Sequence, residues 1–177
     1  MQTAVAKVKG SNSVSAKFTV KYAQHSTTGD FKARGKKFRL KVPGAITWYD
    51  GKYMWTLSEA TGEVTLVNPG SQEIAESNPF SYLDSYVKDF NVYKSKRTDT
   101  NNHLILLNPK TKKSDVKAIE IAINKKSLLP VRFIIRDKND AVTQIQVSEL
   151  NLTSNSKESD FKFDAKSHPD YQIIDLR

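Results

Sequence analysis

Between Phe38 and Val67 the chain reads FRLKVPGAITWYDGKYMWTLSEATGEVTLV, with Asp50-Gly51 dividing two aromatic-rich runs. That dipeptide between apolar segments is the strongest short-range hairpin signal a sequence carries, because a type I′ turn needs positive φ at both central residues. A two-residue turn there places Tyr49 opposite Lys52, Trp48 opposite Tyr53 and Ile46 opposite Trp55. The last two pairs share a face, and Thr47 and Met54 take the other. Both tryptophans of the protein then fall on one apolar surface that something must cover.

The rest of the chain repeats this logic. Val14, Ala16, Phe18, Val20 and Tyr22 alternate with Ser15, Lys17, Thr19 and Lys21, a period of two that specifies a strand. A polar turn is expected around Thr27 to Asp30. Phe31 and Ala33 then lie on one parity and Phe38, Leu40 and Val42 on the other, which predicts a bulge or bend at Gly35. Pro43-Gly44 and Glu59 to Gly62 mark further turns, and Asn68-Pro69-Gly70 ends the meander. Strands resume with Val92 to Lys96, Leu104 to Leu107, Ile119 to Ile123, Val131 to Ile135 and Ile145 to Val147. Turns at Asp99 to Asn102, Asn124 to Ser127 and Asp137 to Asp140 separate them. Leu150 and Leu152 change parity again, so a second bulge is expected there.

One segment carries a helical period. Asn78-Pro79 supplies a cap and a first-turn proline, and Phe80, Leu83, Val87 and Phe90 follow at three- and four-residue spacing. Residues Thr3 to Lys9 allow a second, very short helix. About ten strands at spacings of roughly eight to twelve residues indicate a mainly β chain. So long a meander twists and curls, giving an incomplete, strongly curled antiparallel barrel with short helices across its mouth.

Composition narrows the function. The chain of 177 residues is long enough for one domain with a sizeable core, spanning residues 1–177. No apolar run approaches the length of a membrane-spanning helix. Cysteine is absent, which removes disulfides and thiolate chemistry. A net charge of +9 invites a nucleic-acid reading, yet the lysines are spread and alternate with apolar residues, as on the solvated face of a half-buried sheet. The densest group, Lys110, Lys112 and Lys113, falls in a turn, so no nucleic-acid partner is expected. No charged and apolar leader precedes Thr3, so no signal peptide is expected within this chain.

No catalytic constellation emerges. His25, His103 and His168 each stand alone in polar surroundings and read as surface residues, with no spacing that suits a metal. Nucleophile elbow, zinc-helix and phosphate-loop motifs are missing. The expectation is a non-enzyme without cofactor or metal, whose working part is an apolar concavity. Large curled β folds hold hydrophobic ligands because inward faces are not always filled by side chains.

The succession Gly35-Lys36-Lys37-Phe38-Arg39-Leu40, then Asp50-Gly51-Lys52 with Trp55, then Glu63-Val64-Thr65, resembles the periplasmic outer-membrane lipoprotein carriers, the LolA-like family. Asn78-Pro79-Phe80 is similar to the family's proline-led helix, and Leu106-Leu107-Asn108-Pro109-Lys110 to its strand ending in a Pro-Lys turn. Phe161-Lys162-Phe163 and Ile174-Asp175-Leu176-Arg177 resemble the carboxyl end of a divergent branch of lipoprotein chaperones.

The resemblance implies a half-barrel with a helical lid over an apolar cavity. It implies a periplasmic, monomeric carrier that takes acylated lipoproteins from an inner-membrane ATP-driven (ABC-type) release complex to an outer-membrane acceptor or the membrane itself. At about 0.8 kcal/mol per methylene, exposing one sixteen-carbon chain to water costs on the order of 12 kcal/mol, so such cargo needs a carrier. Phe38, Leu40, Val42, Trp48, Trp55, Leu57, Val64, Leu66 and Phe133 are the expected sheet-side lining, with Phe80, Leu83, Val87 and Phe90 on the lid. Arg34 falls near the position of a family arginine that locks the lid. The alternative is a sensor module of the same fold that detects mislocalised lipoproteins or lipids.

Overall fold

The computed structural model describes residues 1–70, 73–74, 77–78, 88–111, 114–153 and 155–177. The alternating run forms β1 (Val14–Tyr22), preceded by the short helix α1 (Gln2–Lys9). Ala23, with φ of 50°, and Gln24 reverse the chain into β2 (His25–Arg34). The reversal comes earlier than the polar composition suggested: Thr27 and Asp30 lie inside the ladder, opposite Val20 and Lys17.

The parity change at Gly35 comes from a turn and not a bulge. Gly35 and Lys36 link β2 to β3 (Lys37–Val42), with Arg34 opposite Lys37 and Ala33 opposite Phe38. Gly35 has φ of +59°, the region that favours glycine at the first central position of a two-residue hairpin. Crossing an even-numbered loop restores the face, so Phe31, Ala33, Phe38, Leu40 and Val42 all point the same way.

Pro43-Gly44 joins β3 to β4 (Ala45–Tyr49), and β5 (Met54–Ser58) and β6 (Glu63–Val67) complete the meander. The β4–β5 register differs from expectation. Trp48 lies opposite Trp55 and Tyr49 opposite Met54. The Asp50 carboxylate accepts from the N–H groups of Lys52 at 2.9 Å and Tyr53 at 2.8 Å, and Asp50 N–H donates to the Tyr53 carbonyl at 3.1 Å. The central turn residues are therefore Gly51 and Lys52, because an aspartate side chain that bonds the following amides belongs before the turn. The shift moves each partner by two places, so the tryptophans still share a face.

After residue 67 the chain crosses to β7 (Phe90–Lys94), then runs through β8 (Asn102–Pro109), β9 (Val116–Asn124), β10 (Pro130–Asp137) and β11 (Val142–Asn151). The expected parity change near Leu150 is a bulge: Lys17 faces Glu149 while Phe18 faces Val147. The extra residue, Ser148, donates its hydroxyl to the Lys17 carbonyl at 3.2 Å. Two 3-10 turns, Glu158–Phe161 and Ala165–Ser167, lead to β12 (Gln172–Asp175), which pairs parallel with β6.

The strands form one open, strongly curled sheet of order β12-β6-β5-β4-β3-β2-β1-β11-β10-β9-β8-β7. Laid flat, twelve strands would spread over roughly 50 Å, whereas a helix of eight residues is about 12 Å long. Yet a single apolar cluster on one face unites Met54 of β5, Phe18 of β1, Ile121 of β9 and Phe90 of β7 with Ala4 and Val5 of α1. The sheet curls toward this face, which is the inner one. The connection between β6 and β7 links the second strand at one end of the sheet to the edge strand at the other, and Ile74 within it packs on the inner cluster.

Candidate functional site: an apolar concavity

The ladder registers divide the sheet residues between two faces. Phe38, Tyr49, Met54 and Val67 follow one another across β3 to β6 and belong to the inner cluster. Leu40 and Val42 lie on the same side, half-buried against it. Across the sheet, Ile105, Ile121, Phe133 and Ile145 are paired in one row, and Leu107, Ile119 and Ile135 in the next. Phe133 and Phe38 are each 1% exposed, so the deepest part of the face is packed. Phe38 also touches Phe31 and Tyr49, with ring centroids 6.0 and 5.5 Å apart.

Trp48, Trp55, Leu57, Val64 and Leu66 are on the other side of the sheet. Arg39, Trp48, Trp55 and Leu66 are paired in one row, and Lys41, Ile46, Leu57 and Val64 in the next. The carboxyl-terminal segment covers them. Phe163 packs edge-on to Trp48 at 5.6 Å, the His168 ring lies 5.8 Å from Trp48, and Tyr171 follows at 6.0 Å from His168. Trp48, Trp55, Leu57 and Val64 therefore form a second, outer core, and none of the five, Leu66 included, shares a face with Phe38. His168, expected as an isolated surface residue, is part of this aromatic stack. Its Nδ1 lies 3.1 Å from the Asp164 carbonyl.

Of the expected lid residues, Phe80, Leu83 and Val87 lie outside the described residues, as do Lys112 and Lys113. Phe90 is not the last member of a helical stripe but the first residue of β7, opposite Pro109. The Lys110 N–H donates to the Asp89 carbonyl at 2.9 Å, and this bond carries the ladder through that point. Phe90 remains buried on the inner face.

Arg34, expected as a lid lock, sits instead on the outer face. It donates to the Ser156 carbonyl at 3.1 Å, pairs with Glu158 and lies over the Phe161 ring. Lys37 also pairs with Glu158. The Lys37 ammonium and the Arg34 guanidinium hold the Glu158 carboxyl below its ordinary range. Together these contacts clamp the carboxyl-terminal segment to the outside of β2 and β3.

At the α1 end, the inner face opens into a cavity of about 810 Å³ between Met1, Thr3 and Ala4 and the β7–β8 connection. That volume is within the range of about 300–1,000 Å³ common for small-molecule sites. Ile105 and Ile123 contribute to its wall and to the inner cluster alike.

A curled open sheet, apolar inside and strapped outside, agrees with a sequence-family match. The model for the family "Outer membrane lipoprotein carrier protein LolA" matches residues 9–164. The chain belongs to the LolA family. Similar solved structures show the same fold. An uncharacterized conserved protein from Thermus thermophilus superposes with a TM-score of 0.67 at 16% identity, covering 98% of each chain. A candidate outer membrane lipoprotein-sorting protein domain from Vibrio parahaemolyticus gives a TM-score of 0.50 at 14% identity, covering 90% of this chain and 93% of that one. No curated protein matches the sequence. Among the described residues of this LolA-family chain, no helix is long and apolar enough to cross a membrane.

The inner residues that sequence reasoning missed, such as Tyr49, Met54, Ile119 and Ile121, did carry a signal. They have the parity of Phe38 once the hairpin registers are known. Parity alone could not choose between the two faces.

Proposed function

We propose that this protein is a periplasmic carrier of acylated lipoproteins. It receives them from an inner-membrane ATP-driven release complex and delivers them to an outer-membrane acceptor or to the membrane. The observation that carries this reading is the continuous apolar inner face. It runs from Met54 through Phe38, Phe18 and Phe133 to Phe90, with half-buried Val20, Leu40, Val42, Ile105 and Ile135 along it. Family membership supports the same assignment.

Physically, the inner face offers acyl chains an environment as apolar as the one they leave. Chains entering compete with Ala4, Val5 and Val8 of α1 and with Ile74, which pack on that face. Exchange between covered and loaded states is driven by the difference in apolar surface buried in each. No bound nucleotide is required for such a handover, only a receiver with greater affinity.

The test is to purify the protein from a native envelope and analyse what accompanies it. Co-purified acylated protein, and saturable binding of a fluorescent fatty acid by the emptied carrier, are the expected results. A preparation free of lipid that also ignores the probe would refute the assignment.

A further inference from the structure

The cavity beside α1 differs chemically from the rest of the inner face. Ala4, Ile105, Ile123 and Leu128 give it an apolar floor, while Lys94, Arg97 and Lys125 stand among its lining residues. The one carboxylate among the described lining residues, Asp99, is held by local partners. It accepts from the N–H groups of Asn101 and Asn102 and from the Asn102 side-chain amide, and Arg132 lies 3.9 Å away. Lys125 reaches across to the Asp99 and Thr100 carbonyls at 3.0 and 2.8 Å, so its charge is solvated by dipoles and not cancelled by an acid. Arg97 is paired with Glu120 at 3.1 Å, which leaves Lys94 and Lys125 to set the sign at the mouth.

We propose that this cavity binds an anionic amphiphile, with the alkyl chain on the apolar floor and an acidic head group at Lys94 and Lys125. The inference rests on the carrier reading for its apolar half and adds a head-group preference that the deep inner face, which is nearly all hydrocarbon, cannot supply. A buried apolar slot accepts any chain of suitable length. A cationic mouth discriminates among heads, because the wrong sign meets like charge where water is partly excluded. The carrier would thereby favour chains that end in phosphate or carboxylate over neutral or cationic ones.

The experiment is a methyl-resolved NMR titration of the intact chain with dodecyl phosphate, dodecyltrimethylammonium and inorganic phosphate. Dodecyl phosphate is expected to shift the Ala4, Ile105 and Leu128 methyls, and the other two compounds to leave them unmoved at equal concentration. Lys94→Glu is expected to weaken dodecyl phosphate binding about two- to fivefold, the range of a solvent-exposed charge contact. Thr3→Glu, an exposed change on the opposite rim, is expected to act in the same direction. Equal shifts with the cationic probe, or with inorganic phosphate alone, would overturn the proposal. So would full retention of affinity in both variants. Shifts confined to the Leu40 and Val42 methyls would overturn it while leaving the carrier reading intact, whereas no shift in either set with any chain would remove both.

Discussion

Trp48 and Trp55 stand directly opposite each other across the β4–β5 ladder, on the face of the sheet that does not hold Phe38. This pair, expected in the floor of a cavity, is the base of a second apolar layer sealed by Phe163, His168 and Tyr171. The protein thus has two apolar surfaces on one sheet. The outer one is covered by the chain's own carboxyl-terminal segment, and the inner one packs against α1.

Because both tryptophans of the protein are on the outer face, their fluorescence reports on where a chain binds. A fatty acid brominated along its tail should bind without quenching the intrinsic emission, since bromine quenches only near contact. Strong quenching by the bound acid would place the cargo on the wrong side of the sheet.

Trp48 is 6% exposed and touches two aromatic partners from a remote segment. Trp48→Ala should lower unfolding free energy by about 3–5 kcal/mol, the usual cost of removing a buried large aromatic. Urea denaturation measures this, and the affinity of the folded variant for a fatty-acid probe should stay within about twofold of the parent. A large loss of affinity at unchanged stability would contradict the outer placement.

Gly29 faces Phe18 across the β1–β2 ladder, and a Cβ built on it would lie 2.4 Å from the Phe18 ring and 3.0 Å from the Lys41 carbonyl oxygen. Gly29→Ala should destabilise by about 1–3 kcal/mol, as overpacking does. Part of that loss should return in the Gly29→Ala, Phe18→Leu double variant, where the ring no longer blocks the methyl. Strictly additive losses in the double-mutant cycle would show that the ring is not the obstacle.

Acid should loosen the outer strap before the inner core. The Arg177 guanidinium and backbone N–H hold the Asp175 carboxyl at about 2, down from 3.8. Lys37, then Arg34, hold Glu158 below its ordinary 4.5. Both carboxyls have lower pKa values folded than unfolded, so their stabilisation is complete above about pH 4.5 and is lost as pH falls, ending for Asp175 near pH 2. Amide exchange at Ile173 and Leu176 should quicken across that window while Ile121 stays protected. Glu158→Gln should loosen residues 155–161 at neutral pH. Loss of Ile121 protection at the same pH as Ile173 would refute the ordering.

Much of the fold was legible because period-two alternation is a local property. Val14–Tyr22, the turns at Pro43-Gly44 and Glu59–Gly62, and the parity change at Leu150 all follow from neighbours in sequence. Sequence by itself also determined that Trp48 and Trp55 share a face, since shifting a partner by two places preserves parity. Three matters were beyond it. The Asp50 carboxylate chose the hairpin register by bonding amides that composition does not reveal. Phe90 became a strand residue because Pro109, nineteen positions on, offered it a partner. Above all, alternation names two faces without saying which is concave. That was decided by Phe163, His168 and Tyr171, more than a hundred residues from Trp48, which cover one face and leave the curl to close over the other.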